Sequence, residues 1–147
     1  ADLLIPVLNV RSSELSDTFT DSRGGGTRLH EAIDIMAPRG TSVVAAAPGE
    51  IERLFRSDAG GNTIYVRSSD GETIHYYAHM DSYSVTTGTV VKTGSVIGVL
   101  GDSGNAQGKQ PHIHYSILSI IPIPWLATTQ TQGWKRMFFL NPHEMFI

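Results

Sequence analysis

The 147 residues contain no cysteine. That excludes disulfide scaffolds, thiolate zinc fingers and cysteine nucleophiles. Long apolar runs are missing too. No stretch reaches the roughly 18 residues of a membrane-spanning helix, and the longest, Ile117 to Ala127, is broken by Pro122 and Pro124. Charge of one sign is scarce. A net charge of −3 gives no electrostatic footprint for nucleic acid. Only 17% of residues are charged against 40% hydrophobic, which excludes intrinsic disorder, since disorder needs the opposite balance. Helical periodicity is also lacking, because no window of 12 residues repeats at 3.6.

What is present reads as strands. Thr41 to Ala47 is small and β-branched and stops at Pro48-Gly49. Glu50 to Phe55 follows, and then the Gly60-Gly61-Asn62 turn. Thr63 to Arg67 and Glu72 to Met80 flank Asp70-Gly71, a strong two-residue hairpin signal. Val85 to Val91, Ser95 to Leu100 and Ile113 to Leu118 are further short strands. Asn141-Pro142-His143-Glu144 can open one helical turn, with Asn as cap and Pro in the first position. Leu3 to Val10 lacks a preceding basic region, so it reads as a first strand or a packed arm rather than a signal peptide. The chain opens on Ala1, so a leader or a larger N-terminal part is expected outside it. The expected fold is mainly β: one domain over residues 1–147, an antiparallel sandwich or barrel-like sheet with little helix.

Two histidine spacings carry chemistry. In His112-Ile113-His114 the imidazoles lie two residues apart, so on a strand they share a face about 6 to 7 Å apart. His30 and Asp34 are four apart, and on a straight strand would be separated by about 13 Å. A kink between them would let both reach one ion. With one of His112 or His114 they make a two-His, one-carboxylate set. Zn²⁺ suits such a set and keeps a fourth position for water, whose pKa can fall to about 7. Iron(II) uses the same residue types in a facial octahedral site, and spacing alone does not separate the two metals. His75 lies four residues before His79, on the same strand face by alternation, at the surface or behind the site. Tyr76 and Tyr77 take opposite faces, one packed and one lining a groove.

A wider pattern surrounds these residues. Phe19, Arg23, Arg28-Leu29-His30-Glu31-Ala32-Ile33-Asp34-Ile35, Ala37-Pro38 and Gly40-Thr41 come first. Gly61-Asn62, Tyr77-Ala78-His79-Met80, the glycine-spaced run from Gly88 to Gly104, and Pro111-His112-Ile113-His114-Tyr115 follow in order. Together they resemble the lysostaphin-type peptidoglycan endopeptidases over about residues 19–118, with 119–147 as an extension. Joint occurrence of His-x-x-x-Asp, Tyr-x-His and His-x-His is specific where each alone is weak. The chain departs from the family pattern at Glu31, Ala32 and Gln110.

The resemblance implies a groove with zinc at its floor. It implies metal ligands His30, Asp34 and His114, and catalytic histidines His79 and His112. Arg23 falls near the groove as a candidate contact for substrate carboxylates, and Asn62 as a contact for substrate backbone, besides shaping its turn. The implied reaction is hydrolysis of a peptide bond in a peptidoglycan cross-link or stem peptide. The implied place is the bacterial periplasm or exterior, with an inhibitory N-terminal segment or a regulator outside this chain as a further partner. The alternative is a catalytically silent cell-wall-binding or amidase-regulating module of the same fold. All five ligand and catalytic positions are filled, which counts against it.

Overall fold

A computed structural model describes residues 3–15, 21–23, 28–30, 32–119, 139–140, 142 and 145–146, with main chain only for 12, 21–23, 28–30 and 139. The strands are β1 (Asp21–Arg23), β2 (Arg28–His30), β3 (Ile33–Met36), β4 (Ser42–Val44), β5 (Gly49–Ser57) and β6 (Gly61–Ser68). They continue as β7 (Thr73–Tyr83), β8 (Val90–Val91), β9 (Val96–Leu100), β10 (His112–Ser119) and β11 (Phe139–Leu140). The helical elements among the described residues are two 3₁₀ turns, Ser12–Glu14 and Gly104–Ala106. The mainly antiparallel fold therefore stands.

Nine strands form one sheet along the path β11-β10-β7-β6-β5-β8, which does not close on itself. β3 joins beside β10, β9 beside β7, and β4 beside β9. β1 and β2 form a separate two-stranded ribbon. The Asp70-Gly71 hairpin forms as the sequence indicates. Gly71 takes a φ of +75°, and the Asp70 carboxylate accepts from the Ser68 hydroxyl and the Glu72 N–H. The strand expected over Val85 to Val91 shrinks to Val90–Val91. Gly88 turns at a φ of +92°, and the Thr86 hydroxyl engages Thr89 before pairing with β5 begins.

Alternation fills one face. Ile33, Ile35, Ile64, Tyr77, Ile113 and Tyr115 are fully buried, joined by Ile51, Val66, Met80, Ile97 and Leu100. The N-terminal arm packs on this core through Leu3, Ile5 and Val7, with bridges from Leu3 to Phe146 and from Val7 to Val43. The opposite face carries Asp34, Tyr65, Tyr76, Ala78 and His114, as the cross-strand pairs His114–Ala78, His114–Asp34 and Tyr65–Tyr76 require. Most of Ile120 to Leu140, and part of the turn expected at Asn141, lie outside the described residues.

Candidate active site

β10 lies between β3 and β7, and this order assembles the site. Asp34 stands directly across from His114. Its Oδ1 is 3.2 Å from His114 Nδ1. The chain breaks direction just before, since β2 ends at His30, Ala32 is a bend and β3 starts at Ile33. A break there is what the His30–Asp34 spacing called for. The His30 side chain lies outside the described residues.

His79 reaches the same face by breaking alternation. On a regular strand it would follow His75 and Tyr77 into the core. Instead its φ is +66°, a left-handed conformation rare for any side chain but glycine. The pairing of β6 with β7 slips by one residue at this point, from Ile64–Tyr77 to Asn62–Met80. The extra residue is a β-bulge, a device that re-aims a side chain. The His79 ring then sits 5.0 Å from His112 and 5.8 Å from His114, edge to face with both. The expectation that His75 and His79 share a face is corrected: His75 is buried on the core side, its Nδ1 2.5 Å from the Tyr115 hydroxyl.

Two tight loops hold the bulge. His79 N–H donates to Gly60 O, and His79 O accepts from Gly101 N–H. Gly61 and Gly104 both have positive φ and lie back to back, where a Cβ on either would strike the other's main chain. Ser103 ties these loops together. Its hydroxyl donates to Met80 O at 2.6 Å and accepts from Asn62 N–H at 3.0 Å. The Asn62 amide donates to Met80 O and Asp81 O, and its oxygen accepts from Arg56. No sequence motif marks Ser103; its signal is its place between Gly101 and Gly104, near the His-x-His element.

The same loop sets the imidazole tautomers. His79 Nδ1 lies 2.8 Å from Ser103 O, and His112 Nδ1 lies 2.9 Å from Gln110 O. A carbonyl oxygen only accepts, so each Nδ1 carries a proton, and in the neutral ring the lone pair is on Nε2. Burial, more than the nearby His112 and His114, pushes His79 down to about 4. The ring is therefore neutral at neutral pH.

Among the described side chains no three His, Cys, Asp or Glu residues are grouped to hold a metal ion. The pair that is described does fit one. Two donor atoms on a tetrahedral zinc, each about 2.0 to 2.1 Å away, would stand about 3.3 Å apart. His114 Nδ1 and Asp34 Oδ1 are 3.2 Å apart, and imidazole with carboxylate is a donor set zinc accepts.

Comparison with known proteins now decides the family. A profile of Peptidase family M23 matches residues 28–121. The chain belongs to peptidase family M23. It is 38% identical over 108 residues to the L-Ala–D-Glu endopeptidase of Bacillus subtilis, covering 68% of this chain and 33% of that protein. It is 33% identical over 147 residues to a metalloprotease of Haemophilus influenzae, covering 91% of this chain and 30% of that protein. The lysostaphin catalytic domain from Staphylococcus simulans superimposes with a TM-score of 0.66 at 28% identity, over 74% of this chain and 83% of that domain. The chain thus spans about a third of the length of these curated relatives. As an M23 domain it has the expected β fold. Arg23 ends β1 opposite Arg28, away from the large sheet's pairing.

Proposed function

We propose that this M23 domain is a zinc-dependent endopeptidase that hydrolyses peptide bonds in peptidoglycan cross-links or stem peptides, acting in the bacterial periplasm or outside the cell. The observation that carries the proposal is the gathering of Asp34, His79, His112 and His114 on one face, with both catalytic imidazoles oriented by main-chain carbonyls. His30, Asp34 and His114 would hold the metal. A zinc ion held there supplies Lewis acidity toward a scissile carbonyl and a lowered pKa for water.

The histidines supply the proton traffic. Each Nε2 lone pair accepts a proton from the attacking water or, once protonated, donates to the developing oxyanion or the leaving amine. A proton on His79 is held weakly, because burial disfavours the charged ring. That makes His79⁺ a ready donor to an amine. The backbone carbonyls keep each ring from turning, so the useful tautomer is set before substrate arrives. Arg23 is a candidate contact for substrate carboxylates. Asn62, with its amide spent on Met80 O and Asp81 O, is better assigned to holding the bulge than to touching substrate.

Incubation with purified peptidoglycan, followed by mass spectrometry of released muropeptides, tests the proposal. The wild type should release cut peptides whose masses name the bond. His114→Ala, His79→Ala and chelator-treated protein should not. Zinc binding without cleavage would favour the silent module instead. Absence of any bound metal would sink the ligand assignment.

A further inference from the structure

The site face continues past the histidines as a row of rings. Tyr76 on β7 meets His114 edge to face, with centroids 5.9 Å apart. Tyr65 on β6 is 5.4 Å from Tyr76, and Phe55 on β5 is 4.9 Å from Tyr65. The Arg53 guanidinium ends the row, 4.3 Å from the Phe55 ring centre. All three rings are partly exposed and Arg53 is exposed. Neighbouring Glu52 is taken by Arg67, and among the described residues Arg53 makes no ion pair. A guanidinium stacked on a ring still presents its N–H fork in the plane, the geometry that binds a carboxylate.

The row crosses three strand spacings and shifts two residues along β7, so Arg53 lies about 16 Å from His114. An extended peptide covers that in about five residues. We propose that Tyr76, Tyr65 and Phe55 form an extended binding track for an acidic peptide, and that Arg53 binds a carboxylate about five residues from the bond at the histidines. The track is continuous with the proposed site and rests on the hydrolase assignment above. It gives that site a substrate class: peptides with a free carboxylate at that distance. The rings supply apolar contact along the way, and the cation sets the register.

The test compares a stem-peptide dimer bearing free side-chain carboxylates with its fully amidated counterpart. Arg53→Gln should raise KM about tenfold for the acidic peptide, the value of one charge-assisted bond, and leave KM for the amide and kcat for both unchanged. Arg53→Lys should recover part of the loss, and Tyr65→Ala should raise KM for both peptides. Calorimetric titration of the same peptides into His79→Ala protein reads binding apart from cleavage. Cleavage by wild type with no Arg53 dependence overturns the track and leaves the hydrolase assignment standing. Arg53-dependent binding of the acidic peptide without cleavage does the reverse. Neither binding nor cleavage overturns both. Competition by a peptide-free disaccharide at the ring track would also overturn it, by showing that the rings hold sugar.

Discussion

His75 and His79 lie four residues apart on β7, yet they belong to opposite faces of the sheet. His75 faces the core, bonded to the Tyr115 hydroxyl. His79 faces the site, against His112 and His114. Burial pushes both down to about 4. The same electrostatic state therefore serves two ends. On the core face a neutral histidine completes a hydrogen bond in a packed interior. On the site face it leaves an Nε2 lone pair, which the proposed chemistry uses. A depressed pKa does not separate these roles. The bulge does, because it decides which side of the sheet the ring meets.

The largest effect should come from removing the bulged ring. His79→Gly deletes the proposed proton carrier, and such groups contribute about 10² to 10⁴ in rate. The same change frees a residue at a φ of +66°, a strain of order 1 kcal/mol or more that glycine does not bear. Peptide release should fall by that factor while the unfolding midpoint rises or holds. A variant both inactive and strongly destabilised would show that the ring supports the fold more than the chemistry. Gly61→Ala works from the other side. Its Cβ would strike Ser103 and Gly104, so it should lower stability and activity together.

Next in size is the acid response of the core histidine. The unfolded chain protonates His75 near 6.5, whereas the folded chain resists down to about 4. Unfolded chains thus bind more protons between those values. The contribution is complete above pH 6.5 and is lost as pH falls toward 4, by at most about 3 kcal/mol. Denaturant unfolding across pH 4 to 8, with chelator present throughout, should show a shallower acid slope for His75→Gln than for wild type. Peptide release by that variant at neutral pH should stay near wild type. His79→Gly should also flatten the slope, but with activity gone. Equal slopes for wild type and His75→Gln would mean that His75 titrates as an exposed ring does.

The strands themselves were legible because they follow period two: Thr63 to Arg67, the Asp70-Gly71 hairpin and Ile113 between its two histidines all behave as alternation dictates. Family resemblance selected the histidines. The position of His79 was not legible from alternation, which places it with His75 and Tyr77. Nothing in Tyr-Ala-His-Met announces a left-handed residue, since bulges are set by the partner strands and the loops packed on them. Nor could local sequence show β10 seated between β3 and β7, a pairing of segments about 80 and 40 residues away. The loop network escaped for the same reason. Ser103 lies about 40 residues from Gly61 and Asn62 in sequence, and the sheet brings them together.

Arg39 offers the smallest and most discriminating test of the two faces. It donates to Asp81 at 3.2 Å and to Asp102, tying the turn after β3 to β7 and to the loop that orients the imidazoles. Half of its side chain is exposed (51%), so the ion pairs should add no more than about 1 kcal/mol to stability. Their leverage is positional. Asp102 precedes Ser103, whose carbonyl accepts the hydrogen bond from His79 Nδ1–H. If Asp102 drifts, that carbonyl drifts with it and His79 loses its fixed tautomer. Arg39→Ala should therefore leave the unfolding midpoint within a degree or two while kcat falls several-fold and KM holds. Nitrogen chemical shifts of His79 should move from the Nδ1–H form toward a mixture, with partial recovery on adding guanidinium. Added salt should lower wild-type kcat by screening the pair, and should do less to Arg39→Ala. An unchanged His79 tautomer in the variant would confine Arg39 to the surface, and the site would then owe its order to the buried loops alone.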